Sequence, residues 1–188
     1  MKKILYLFIF ITPLFFFSCR KGCTDPLAYN YNANRTVDNG NCKYYDLVYL
    51  DSIKISRLNS QNQLGNNWDS GDTLDFDNDD SNPDVSLKVI TPSGYHAFST
   101  NMFTNVNPFY PDILFDFNND FASDMWASNG FSILIYEFEM DFSTQLIDSV
   151  YLKPFDANES RKSDRFKKRV DLDYFSEGVG LTAYFSWE

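Results

Sequence analysis

From Asp46 onward the chain alternates apolar and polar positions with a period of two. Ile53 and Ile55 alternate with Ser52, Lys54 and Ser56, and Val85, Leu87 and Val89 alternate with Ser86, Lys88 and Ile90. Successive side chains of a strand point to opposite faces, so this spacing predicts two strands with one wetter face each. Six further segments have the same enrichment in β-branched and aromatic residues: 95–103, 113–117, 131–140, 146–153, 166–174 and 181–187. Turn-rich stretches at 105–111 and 155–163 separate some of them. The run from Phe131 to Met140 is apolar on both parities, which suits an interior strand. No stretch shows a sustained helical period. The expected fold is therefore all-β: an eight-stranded antiparallel sandwich over residues 46–188.

The first 45 residues follow other rules. Lys2 and Lys3 precede an apolar run from Ile4 to Phe17, broken only by Thr12 and Pro13, and Ser18-Cys19 follows. This is the layout of an export signal over residues 1–18, and the run is too short to cross about 30 Å of hydrocarbon as a helix. Phe16-Phe17-Ser18-Cys19 resembles the lipobox of bacterial lipoproteins, which implies cleavage before Cys19 and acyl chains on its sulfur. The chain has three cysteines. With Cys19 lipidated, Cys23 and Cys42 remain as an even pair in an oxidising compartment, where a disulfide persists.

Between them the sequence is turn chemistry: Asp25-Pro26, then Asn30, Asn32, Asn34, and Asn39-Gly40. Closing Cys23 to Cys42 is the expected source of order in residues 19–45. The stretch resembles a short cysteine-bounded module, Cys-Thr-Asp-Pro-x-Ala-x-Asn-Tyr-Asn with a later Asn-Gly-x-Cys, found in bacterial surface and secreted proteins. The resemblance implies a spacer or cap.

Charge narrows the partners. Acids number 26 against 16 basic residues, a net charge of −10, and removing Lys2 and Lys3 makes the exported part more acidic still. Nucleic acid is not expected as a partner. Asp69, Asp72, Asp75, Asp77, Asp79, Asp80 and Asp84 put seven carboxylates into 16 residues. Such a loop either stays solvated or is joined by a cation, and a hard cation such as Ca2+ takes six to eight oxygen ligands. Asp75, Asp77 and Asp79 have the opening spacing of an EF-hand, but Asp80 stands where that loop needs glycine and Ser86 where it needs a bidentate acid.

Residues 47–153 resemble a C-two domain, the eight-stranded calcium- and phospholipid-binding sandwich. The resemblance rests on 53–58, the Gly65-x-x-Trp68-Asp69 turn, Asn82-Pro83-Asp84 leading into 85–89, and Glu139-Met-Asp141 followed by Gln145-Leu146-Ile147. It implies loops from distant parts of the chain meeting at one tip, with Asp69 and Asp84 from the first and Glu139 and Asp141 from the second sharing a calcium ion. Gln145 stands where a third loop acid would be, and Asp148 near the usual glycine.

Other constellations are thinner. His96 is the chain's single histidine, with no nucleophile motif beside it, so no catalysis is expected. Trp68, Trp126 and Trp187 would serve a sugar-stacking platform or fill a β core. Six basic residues fall between Arg161 and Arg169, as a docking patch for lipid phosphates or as a charged turn and edge strand. The sequence points to a non-catalytic, lipid-anchored envelope protein, expected at the outer membrane. Its sandwich binds or scaffolds an envelope protein or glycan, with Ca2+ at its loop tips. The alternative is a carbohydrate-binding or adhesive surface module using exposed aromatics.

Overall fold

The computed structural model describes residues 20–62, 64–68, 82–91, 93–98, 102–124, 130–138, 144–172 and 178–188. Contacts divide the chain into two units: residues up to Tyr44 together with Ala157–Lys162, and Tyr45–Asp156 together with Ser163–Glu188.

In the small unit, β1 (Lys21–Gly22) and β2 (Val37–Asp38) form a two-residue parallel pair. The Cys23–Cys42 disulfide is formed, with Cα atoms 4.9 Å apart. Hydrogen bonds from Tyr29 N–H to Lys43 O and from Asn32 N–H to Cys23 O tie the loop together. The Tyr44 hydroxyl donates to Asp25 Oδ2 at 2.7 Å, and that bond to a carboxylate pushes the phenol's ionisation up.

The large unit is the expected eight-stranded antiparallel sandwich. Its strands are β3 (Leu47–Arg57), β4 (Val85–Ile90), β5 (His96–Phe98), β6 (Ile113–Asp124), β7 (Phe131–Phe138), β8 (Thr144–Leu152), β9 (Arg169–Leu172) and β10 (Gly180–Trp187). They form two four-stranded sheets, in the orders β6-β3-β10-β9 and β5-β4-β7-β8, with every pairing antiparallel. Alternation drives the layering: β4 and β7 bury every second residue, and Val85, Leu87, Val89, Phe131, Ile133 and Ile135 are fully buried. They meet Leu50, Ile53, Ile55 and Leu181 of the other sheet in one core cluster. The Phe131 and Phe185 rings, 5.6 Å apart, join the sheets across it.

Several strands, β6 among them, end differently from the sequence expectation. The third is only His96–Phe98, and Phe103 returns as a single bridge to Val85. The seventh begins at Arg169 rather than Phe166, because residues before it form a helical turn, α1 (Lys162–Arg165), that buries Arg165 completely. Phe166 bridges to Phe155 and packs edge-on against Tyr45 and Trp187, at centroid distances of 5.1 and 5.2 Å. The basic run is consequently not one patch. Arg165 is buried, and Arg169 on the edge strand β9 pairs with Asp171 at 2.8 Å. Charge on an edge strand disfavours pairing with another chain.

Gly130 sets the spacing at the start of β7. A Cβ there would clash with the Leu152 carbonyl oxygen, which is backbone and cannot swing aside. Gly130→Ala is expected to destabilise the sandwich by about 1–3 kcal/mol. The midpoint of urea unfolding measures this, and an unchanged midpoint would contradict the close approach.

Candidate functional site

The register of the second sheet fixes which loops can meet. Val85 at the start of β4 lies opposite Glu137 near the end of β7, and Phe138 N–H donates to the Asp84 carbonyl at 3.0 Å. The segment entering β4 and the segment leaving β7 therefore share one end of the sandwich. Of the four ligands the sequence implied, Asp84 is described at this end. Asp69, Glu139 and Asp141 lie outside the described residues, as do Asp75, Asp77 and Asp79 and the lipidation residue Cys19.

A third segment joins them that the sequence reading treated only as a turn. Between β5 and β6 the chain passes over the start of β4. Phe103 exchanges two backbone hydrogen bonds with Val85, at 2.7 and 2.9 Å, and Val106 N–H donates to Pro83 O at 2.9 Å. Asn105 N–H donates to Asp84 Oδ1 at 2.7 Å, while Asn82 Nδ2 donates to Asn105 Oδ1 at 2.8 Å. Asn105 adopts φ +52°, a left-handed conformation that asparagine tolerates better than most residues. One oxygen of the Asp84 carboxylate is thus aimed by a backbone N–H, which fixes the side chain at the loop end.

Glu137 is the residue sequence reasoning missed. In β7 the inward row runs Phe131, Ile133, Ile135 and then Glu137, which is fully buried. A carboxylate thus stands in the interior row of the sandwich at the same end as Asp84. The signal was present in the parity of residues 131–137 once Phe131 was known to face inward.

The segment leaving β3 closes a tight turn beside these groups. Asn62 Oδ1 accepts from Leu64 N–H and Asn66 N–H, both at 3.0 Å, around Gly65 at φ +78°. Trp68 then returns to the core at 2% exposure and donates its indole N–H to Asn59 O at 2.8 Å. A concavity of about 280 Å³ lies here, lined by Asn62, Leu64, Trp68, Gln145 and Leu146. Leu64 and Tyr110 are each 84% exposed at this end, and Phe109 is 66% exposed.

Calcium needs six to eight oxygens. Among the described residues this end holds Asp84 and the buried Glu137, and no group of three acidic, histidine or cysteine side chains could hold a metal.

The sugar platform loses two of its tryptophans. Trp68 is buried, and Trp187 packs on Phe166 and Tyr45 while donating its indole N–H to Lys167 O at 3.1 Å. Trp126 lies outside the described residues. His96 pairs in register with Ile90, at the end of β4 opposite Asp84. Among the described residues no helix is long and apolar enough to cross a membrane.

No family model matches the chain, and no curated protein matches it. Among solved structures, human GIVD cytosolic phospholipase A2, crystallised with methyl gamma-linolenyl fluorophosphonate and terbium chloride, is similar to it at a TM-score of 0.40 and 12% identity. The match covers 76% of this chain and 17% of the phospholipase.

Proposed function

We propose that this protein is a non-catalytic, lipid-anchored module of the bacterial envelope whose sandwich binds or scaffolds through the loop end built around Asp84. The observation that carries the reading is the meeting of three chain segments at Asp84: the approach to β4 that carries it, the Asn105 segment bonded to its carboxylate and the end of β7 bonded to its main-chain carbonyl. Acyl chains on Cys19 hold it to the membrane, and the Cys23–Cys42 module acts as a spacer. Ca2+ is the cation that suits an oxygen-only donor set. Asp84 and the acids that flank the site in sequence, Asp69, Glu139 and Asp141, would hold it, together with Glu137. When bound, the ion would neutralise carboxylates that otherwise repel one another, and so order the loops for a partner.

A ligand that binds only the folded state stabilises it by about 2.7 kcal/mol at a concentration one hundred times its Kd. For a chain of this size that raises the melting temperature by roughly 5–10 degrees. Thermal unfolding of the chain with and without millimolar calcium checks this. The expected rise is lost in Asp84→Asn. A melting curve that does not move with calcium ends the cation reading, while metabolic labelling of Cys19 with palmitate tests the anchor independently.

A further inference from the structure

The turn that leaves β2 presents Asn39-Gly40 to solvent, with both residues exposed. Its backbone is held on one side, since Gly22 pairs with Asp38 and accepts a hydrogen bond from Asn39 N–H at 3.2 Å. Two further hydrogen bonds bear on chemistry. Gly40 N–H donates to Asp38 Oδ1 at 2.9 Å, and Asn41 N–H donates to Asn39 Oδ1 at 3.0 Å. Gly40 sits at φ +71°, and a Cβ built on it would have no atom within 4 Å, so the turn leaves open space beside its Cα.

We propose that Asn39 is a self-modification site, cyclising onto the Gly40 nitrogen and converting to aspartate and isoaspartate. Each contact has a role in that reaction. The Asp38 carboxylate is placed to take the proton from Gly40 N as that nitrogen attacks Asn39 Cγ. The Asn41 N–H sits on the oxygen where negative charge develops in the tetrahedral adduct. The new bond is Gly40 N to Asn39 Cγ. The bond broken is Asn39 Cγ to Nδ2, and the amide leaves as ammonia carrying the proton that Asp38 removed. Water then opens the succinimide at either carbonyl, giving aspartate or, with one more carbon in the main chain, isoaspartate. The product adds a negative charge within the loop closed by Cys23 and Cys42. In the isoaspartate form it also lengthens the backbone at the residue bonded to Gly22.

Peptide mapping by mass spectrometry of the oxidised, folded chain, aged at neutral pH, tests the proposal. Conversion at Asn39 should be about tenfold faster than in the same chain reduced and denatured, as one positioned base contributes at least that much. Isoaspartate should be among the products, because direct hydrolysis of the amide gives aspartate alone. Asp38→Asn keeps an oxygen acceptor for Gly40 N–H while removing the base, and should return the rate to the denatured value. Conversion no faster in the folded chain than in the denatured one overturns the proposal, as does a fast conversion that Asp38→Asn leaves unchanged.

Discussion

Replacing Trp68 with alanine should lower the stability of the sandwich by about 3–5 kcal/mol. Trp68 is among the largest fully buried side chains, yet it lies in the segment between β3 and β4 rather than on a strand. Its removal empties part of the core cluster and leaves the Asn59 carbonyl without the indole donor, which adds the penalty of a stranded acceptor. The melting temperature should fall by roughly 6–20 degrees. Leu64→Ala, four residues earlier and 84% exposed, is the internal control and should stay within about 0.5 kcal/mol of the parent. Should Trp68→Ala cost less than about 1 kcal/mol, the indole would not be the anchor of this loop.

The strand content was legible because burial alone decides the alternation. Val85, Leu87 and Val89 are inward and fully buried, as the period of two required. What the pattern could not give was where strands stop. Residues 118–124, which include Asn118, Asn119 and Asp120, lay beyond the expected strand 113–117, yet β6 continues through them to Asp124. An edge strand is hydrogen-bonded on one side only, so polar residues do not end it. Conversely, Phe166 looks like a strand residue by type. It is taken instead into an aromatic cluster with Tyr45, Phe155 and Trp187, because α1 turns the chain inward at Arg165. The Tyr45–Phe166 contact joins residues more than a hundred positions apart, and no local pattern announces it.

The candidate site was legible in part. The family resemblance implied that the Asp84 loop meets the end of the 131–140 strand, and the antiparallel Val85 to Glu137 register brings the segment carrying Asp84 there. The Asn105 segment was invisible as a contributor. Its contacts with Asp84 and Pro83 depend on β5 being short enough to release the chain back across the top of β4. Glu137 was passed over for another reason: carboxylates were counted where they cluster in sequence, in the loops. A lone acid in an otherwise apolar inward row is the more informative signal, since burying a carboxylate is costly unless its charge is matched.

The Cys23→Ser, Cys42→Ser double variant should lose the order of the small unit while sparing the sandwich. Of the described residues in that unit only Cys23, at 3% exposure, and Ala28, at 0%, are buried, so apolar burial contributes little to its cohesion. Several of its hydrogen bonds are local turns that Asp25, Asn32, Asp38 and Asn39 close on neighbouring backbone, which water can replace. The bridge spans 19 positions, and by loop-entropy reasoning a crosslink of that length stabilises by about 3 kcal/mol. Removing it should therefore cut amide protection at Tyr29, Asn32 and Asn39 by roughly a hundredfold. Hydrogen exchange followed by mass spectrometry reads both units in one experiment, with Leu50, Ile133 and Ile135 expected to keep their protection because the core cluster holds them. If the three module amides keep theirs as well, the short β1–β2 pairing and its turns, rather than the crosslink, hold the module together.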